Sequence, residues 1–70
     1  MNKYKLLYRI KEIGSTADSF SKELGMSRST FSKKCNGKSE FTQSEICKAA
    51  QLLGLSSDDV VDIFFNQKVS

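Results

Sequence analysis

Residues 22–37 read KELGMSRSTFSKKCNG, and the interpretation of the whole chain depends on this stretch. Between its two glycines the apolar residues are Met26, Phe31 and Cys35, while hydroxyls and positive charges fill most other positions. Such a run is a solvated loop, an ordinary surface helix, or a helix whose polar face contacts a partner. The residues around it distinguish these three alternatives.

Three candidate helix starts along the chain share one pattern. In each, an apolar residue is followed by Ser or Thr. A polar residue stands three positions after that Ser or Thr, and an apolar residue stands four positions after it. The hydroxyl accepts a hydrogen bond from the third helical amide, and the flanking apolar pair packs as a hydrophobic staple. The predicted capping residues are Ser27, Thr42 and Ser56, and Thr42 with Glu45 forms a full capping box.

Between these starts the apolar residues recur at helical spacing, and no segment alternates with a period of two. The predicted helices cover about residues 3–13, 17–24, 28–35, 43–53 and 57–65, and glycines fall at or just after their ends. The stripes expected to face the core are Leu6, Ile10 and Ile13; Phe20 and Leu24; Phe31 and Cys35; Ile46, Ala49, Ala50 and Leu53; and Val60, Val61 and Phe64. We therefore predict a compact all-α domain over residues 1–66, followed by a C-terminal tail at 67–70.

The composition favours a binding protein over an enzyme. Seventy residues leave little room for both a core and an enclosed cleft, and histidine, the commonest general base, is absent. Cys35 and Cys47 form no C-x-x-C pair, so we expect two reduced, partly buried thiols rather than a disulfide or a metal site. We expect no catalytic residues, no metal, no cofactor and no small-molecule ligand.

Charge is distributed unevenly along the chain. Residues 1–39 carry nine Lys/Arg and three Asp/Glu, a net charge of +6, whereas residues 40–70 carry two and five, a net charge of −3. The basic half is attracted to polyanions, although solvated surface charge also explains the imbalance. No apolar run approaches the roughly 18 residues of a membrane span, and MNKYKLLYRIKEIG lacks the features of a signal peptide. We expect a cytoplasmic protein without membrane contact.

The third predicted helix has an unusual polar side. Residues 26–39 contain no acidic residue, whereas solvated helices usually mix Glu with Lys. Arg pairs with guanine through two hydrogen bonds, and Ser pairs with several base edges. Lys33, Lys34 and Lys38, together with the positive N-terminal end of the helix, favour phosphates. These features favour nucleic-acid binding.

Residues 16–37, TADSFSKELGMSRSTFSKKCNG, resemble the helix-turn-helix of the lambda repressor and Cro-like (XRE-type) family of bacterial and phage transcription regulators. The resemblance is carried by Phe20, Leu24, Gly25, Phe31, Asn36, Gly37 and Lys38. Downstream, AAQLLGLSSDDV resembles the fourth and fifth helices of that family, and the ending DIFF resembles small regulators from phages of Gram-positive bacteria.

The resemblance implies a five-helix DNA-binding domain in which helices 2 and 3 form the helix-turn-helix and residues 28–35 enter the major groove. It implies a sequence-specific transcription regulator, a repressor of the Cro/C1 type, that binds a palindromic operator in double-stranded DNA as a homodimer. The implied base contacts are Ser27, Arg28, Ser29, Ser32 and Lys33. The implied phosphate contacts are Thr16, Ala17, Lys38 and Thr42.

The sequence departs from the family pattern in three ways. Ala17 stands where the family commonly has a Gln that contacts phosphate and also holds the first base-contacting residue in position. Ser15 lacks the apolar side chain that would pack against Phe20 as a hydrophobic staple. Ser21 stands where a small Ala is usual, which is tolerated if its hydroxyl donates to a helix carbonyl. Ile10 and Cys35 take the places of a buried Arg–Glu pair, and this apolar substitute is stable without paired charges.

A second interpretation is a protein-interaction module, such as an antirepressor, an adaptor or an antitoxin, that reuses the same fold. Phe64, Phe65 and Val69 favour it, because together they can expose an apolar patch. The alternative expectation, to which we give at least equal weight, is that Phe64 packs in the core and that the chain beyond Asn66 is a disordered tail.

Overall fold

In the computed structural model, which describes residues 1–65, the chain folds into five α-helices without strands. The helices are α1 (Lys3–Glu12), α2 (Ala17–Glu23), α3 (Arg28–Cys35), α4 (Gln43–Leu53) and α5 (Ser57–Phe64). The prediction of an all-α, five-helix domain is confirmed, and each predicted end lies within one residue of the observed one. The predicted tail at 67–70, which includes Val69, lies outside the described residues.

Each of these five helices begins at a side chain that accepts a hydrogen bond from the amide three residues later. The capping residues are Asn2, Thr16, Ser27, Thr42 and Ser56. Glu45 completes the predicted capping box at α4, and Asp59 completes a second one at α5. Such caps contribute about 1 kcal/mol each, which is why local sequence determines these helix starts so well.

The core lies where all five helices meet. Its buried apolar members are Leu6, Ile10, Phe20, Phe31, Cys35, Ala49, Leu53 and Ile63. A chain of edge-on aromatic contacts crosses it, with ring centroids 6.0 Å apart for Phe20–Phe31, 6.0 Å for Phe31–Phe41 and 5.4 Å for Phe41–Phe64. The aromatic chain connects α2 and α3 to α5 through the segment before α4.

Two predicted core positions are wrong. Ile13 is 47% exposed because it caps the C-terminal end of α1, beyond the last turn that faces the core. Val61 is 56% exposed, and Ile63 is buried in its place. The run VVDIFF is apolar at five of six positions, so spacing alone does not identify which face of α5 is buried.

The burial of Ser21 and Cys35 agrees with the predictions, whereas that of Cys47 does not. Ser21 is fully buried, and its hydroxyl donates to the carbonyl oxygen of Asp18 at 2.8 Å, as expected for a Ser at this position. Both cysteines are free, but Cys47 is exposed rather than partly buried. None of the helices in residues 1–65 combines the length and apolar character needed to cross a membrane.

Candidate nucleic-acid interface

A four-residue connection at 24–27 joins α2 to α3 and sets the orientation of α3. Gly25 has a φ of +82°, a left-handed conformation that strains residues with a side chain. The amides of Gly25 and Met26 hydrogen-bond back to α2. Gly25 donates to the carbonyl of Lys22 at 2.9 Å, and Met26 donates to that of Ser21 at 3.0 Å. With Phe20 packed on Phe31, this turn fixes α3 against α2 with its polar side outward.

The five predicted base-contacting residues are all exposed along α3 and at its N-cap; they are Ser27, Arg28, Ser29, Ser32 and Lys33. The helix buries Phe31 and Cys35 on its other side. At 100° per residue, Ser29 and Lys33 lie nearly opposite Phe31. The predicted division of α3 into a thin apolar stripe and a polar outward face is therefore confirmed.

Arg28 and Ser32 lie on the side of α3 that faces α1 and the start of α2. They line a shallow depression of about 160 Å³, which we call the α3 depression; its other lining residues are Lys3, Leu7, Ala17, Phe31, Cys35 and Asn36. The fold thus brings two predicted base contacts beside one predicted phosphate contact. Ala17 has no polar side-chain atom, so its side chain cannot hydrogen-bond to Arg28.

The remaining predicted phosphate contacts lie at helix ends outside the α3 depression. Thr16 caps α2, and its hydroxyl oxygen accepts from the amide of Ser19 at 3.1 Å, which leaves the hydroxyl hydrogen as a donor. Thr42 caps α4, but its amide already donates to the carboxylate of Glu45 at 2.9 Å, so only its hydroxyl can donate elsewhere. Lys38 is exposed just beyond α3, and its amide donates to the carbonyl of Lys33 at 2.9 Å.

The basic residues fall into two groups according to their carboxylate partners. The ion pairs are Lys5–Asp62, Arg9–Glu12 at 3.1 Å, Arg9–Asp59 at 3.4 Å, Lys22–Asp18 at 3.7 Å and Lys34–Glu45 at 2.7 Å. Within residues 1–65, the cations without a carboxylate at salt-bridge distance are Lys3, Lys11, Arg28, Lys33, Lys38 and Lys48. Positive charge therefore stays uncompensated on α3, at Lys38 beyond it, on part of α1 and at Lys48 of α4.

Lys34 differs from Lys33 and Lys38 in being largely buried and in having a carboxylate partner. Its side chain is 12% exposed, lies 5.9 Å from the ring centre of Phe41 and donates to Glu45 at 2.7 Å. Burial alone raises the pKa of Glu45, but the hydrogen bonds from Lys34 and from the Thr42 amide outweigh it and lower that pKa below 4.5. Lys34 joins α3 to the start of α4, so its charge is compensated within the domain, and its contact with phosphate stays a prediction.

The sequence did not suggest the contact between Lys3 and Asn36. The Lys3 ammonium donates to the side-chain oxygen of Asn36 at 2.7 Å, across 33 residues of sequence. Cys35 lines the same depression as these two residues. Burial raises the pKa of the Cys35 thiol to about 11, although the nearby charges of Lys3 and Arg28 act in the opposite direction. Cys35 is therefore a neutral packing residue.

Comparison with known protein families gives a match over almost the whole chain. Residues 2–67 match the family described as "Protein of unknown function (DUF739)". The matched segment includes all five helices and the whole α3 depression. No curated protein and no solved structure matches the chain significantly.

Proposed function

We propose that the chain, which belongs to the DUF739 family of proteins of unknown function, is a sequence-specific regulator of transcription that binds double-stranded DNA. The observation that carries this proposal is the uncompensated positive charge of α3 and of Lys38, three residues beyond its end. Arg28, Lys33 and Lys38 are exposed and have no carboxylate partner within residues 1–65, whereas the cations of α1 that face α5 are paired. The resemblance of residues 16–37 to the lambda repressor and Cro-like helix-turn-helix supports the same conclusion.

In this proposal α3 lies in the major groove and its outward side chains contact base edges. Arg28, at the first helical position, donates two hydrogen bonds to a guanine, and Lys33 contributes a single charged donor. Ser29 and Ser32 are short enough to allow close approach of the helix backbone. Ser27 has the narrowest role, because its hydroxyl already accepts from the Thr30 amide and donates to the Thr30 hydroxyl.

Phosphates on either side of the contacted bases bind helix ends. The first amides of α2, including that of Ala17, have no acceptor within the helix and lie at its positive end. Thr16 and Thr42 donate their hydroxyl hydrogens, and Lys38 supplies charge. Asp18 opposes this arrangement in the first turn of α2, but Lys22 lies 3.7 Å from it and offsets its charge.

One domain with so few base contacts requires a second copy for useful affinity, so the protein acts as a homodimer on a palindromic operator. Its half-sites lie one helical turn, about 10 base pairs, apart. The resembled family suggests that α5 and the segment before α4 form the dimer face. Exposed Val61 and Phe65, one turn apart at the end of α5, supply apolar surface there. The assignment as a repressor of the Cro/C1 type, of phage origin, rests on the resemblance, and the cytoplasmic location rests on the sequence features given above.

The same apolar surface favours a second candidate function, a protein-interaction module. Phe65 is 57% exposed, as this alternative requires, whereas Phe64 packs against Phe41. An antirepressor, adaptor or antitoxin would use Val61 and Phe65 to bind its partner and would not need the charge of α3. DNA binding therefore separates the two candidates.

Selection from a pool of random double-stranded DNA tests the proposed function, because every candidate operator sequence competes in the same pool. The expected result is enrichment of a two-fold symmetric sequence. Its affinity should exceed that of a scrambled duplex at every salt concentration and fall steeply as salt rises. If no sequence binds better than the random pool at any salt concentration, the chain is not a sequence-specific regulator.

A further inference from the structure

We infer that α1 carries a second strip of the DNA-binding surface, which holds the sugar–phosphate backbone beside the groove that α3 enters. The strip consists of Lys3, Tyr4, Leu7, Tyr8 and Lys11, and we call it the α1 strip. This inference rests on the proposed function and extends it to a helix for which the sequence predicted no DNA contact.

The two sides of α1 differ in how their charges are compensated. On the side towards α5, Lys5 pairs with Asp62 and Arg9 pairs with Asp59. On the α1 strip, Lys3 and Lys11 have no carboxylate at salt-bridge distance within residues 1–65. The first carboxylate of the chain is Glu12, and it pairs with Arg9 rather than with either of them.

The α1 strip is continuous with the candidate nucleic-acid interface. A second shallow depression lies between α1 and the start of α2; its lining residues are Tyr4, Leu7, Tyr8, Ile10, Lys11, Ser15, Thr16 and Ala17. Leu7 and Ala17 line both this depression and the α3 depression. One surface therefore runs from Tyr8, past the N-terminal end of α2, to Arg28.

Lys3 connects the strip to the C-terminal end of α3. Its ammonium lies 5.4 Å from the ring centre of Tyr4 and donates to Asn36 at 2.7 Å. Asn36 is neutral, so the contact fixes the position of the ammonium without cancelling its charge. An ammonium has three donors, and the two that remain are available to phosphate oxygens.

The chemistry of the strip fits a nucleic-acid backbone. Tyr4 and Tyr8 are 75% and 62% exposed, and each combines a hydroxyl donor for phosphate with a ring that can pack on deoxyribose. Lys3 and Lys11 add charge near the two ends of the strip. Contacts of this kind position the protein on DNA without reading sequence, so the strip contributes affinity and not specificity.

Two double variants test the inference against the selected duplex and a scrambled one. Replacing both strip lysines, K3Q with K11Q, should weaken binding to both duplexes by a similar factor. It should also reduce the slope of log K against log salt by about 1.8 for each protomer bound, since each phosphate contact contributes about 0.9. Y4F with Y8F removes only two hydroxyls and should weaken both duplexes by about two- to tenfold per hydroxyl that contacts phosphate.

The matched control is K48Q, which removes an exposed lysine of α4 that has no carboxylate partner within residues 1–65 and lines neither depression. It should leave the salt slope as in the wild type. The inference is overturned if K3Q with K11Q keeps the wild-type affinity and slope. It is also overturned if both double variants keep DNA binding but change a dimer to a monomer in sedimentation, because the strip then joins two copies. If the wild-type chain selects no DNA, the proposed function fails as well.

Discussion

Helices α3 and α5 have the same length and the same kind of start, but opposite surfaces. Each has eight residues and begins at a Ser whose hydroxyl accepts from the third helical amide. The first turn of α5 carries Asp58 and Asp59, whereas α3 has no acidic residue. Two similar helices can therefore serve different purposes, and the partners of their charged groups distinguish those purposes.

The acidic groups of α5 are used within the domain. Asp59 accepts from Arg9 of α1 and from the amide of its own cap, Ser56, and Asp62 pairs with Lys5. The hydrogen bond from the Ser56 amide is the main reason that the pKa of Asp59 is lowered. On α3, by contrast, only Lys34 has a carboxylate partner within residues 1–65. The negative charges of α5 form ion pairs with α1, whereas the unpaired positive charges of α3 remain available to a polyanion.

The largest predicted effect is on a further feature that the two helices share, their attachment to the core. Phe31 contacts the rings of both Phe20 and Phe41, so F31A removes the centre of the aromatic chain. It should lower the free energy of unfolding by about 3–5 kcal/mol in urea titrations, enough to unfold much of so small a domain. I63A in α5 should destabilise by about 2–5 kcal/mol. A loss below about 1 kcal/mol for F31A would show that α3 is held by something else.

Arg28 tests the outward face of α3 without disturbing the core. R28A should weaken binding to the selected operator by about 1–3 kcal/mol per half-site and relax preference at one base pair in each half-site. Its free energy of unfolding should change by less than about 0.5 kcal/mol, since the side chain is exposed. The control is K48A on α4, for which competition titrations should show unchanged base preference. Unchanged preference in R28A itself would remove Arg28 from the base contacts.

Glu45 tests the one cation of α3 that does have a carboxylate partner. E45A removes the capping box of α4 and the partner of Lys34, and should lower the free energy of unfolding by about 1–2 kcal/mol near pH 7. Because the folded-state pKa of Glu45 is lowered, its contribution is present above pH 4.5 and is lost as pH falls through that pKa. The difference between wild type and E45A should therefore shrink in urea titrations at pH 3. An equal difference at both pH values would contradict this assignment.

The smallest effect concerns the two thiols. With a pKa of about 11 instead of 9.0, Cys35 has about a hundredfold less thiolate near pH 8 than an ordinary thiol, and it is also buried. Alkylation of the native protein should label Cys47 rapidly and Cys35 slowly, and urea should make both rapid. C47S is the control, because the native protein should then have no rapidly labelled thiol. Rapid labelling of both native cysteines would show that α3 does not stay packed on the core.

The sequence predicted what local physics controls and missed what depends on distant contacts. The helix starts at Ser27, Thr42 and Ser56 depend on hydrogen bonds between residues three positions apart, so their prediction needs no tertiary structure. The buried face of α5 did not follow, because its apolar residues fit several helical phases. The partners of Lys34 and Lys3 lie 11 and 33 residues away in the chain, and no local pattern indicates them.

In the proposed function, the unpaired cations of α3 bind DNA while its paired cation holds the fold. Lys33 and Lys34 are adjacent, so K33Q and K34Q form a matched pair for measuring binding as a function of salt. K33Q should reduce the slope of log K against log salt by about 0.9 for each protomer bound and leave unfolding almost unchanged. K34Q should keep the wild-type slope and lower the free energy of unfolding by about 1 kcal/mol. Equal slopes for the two variants, or a smaller slope for K34Q alone, would contradict this division of roles.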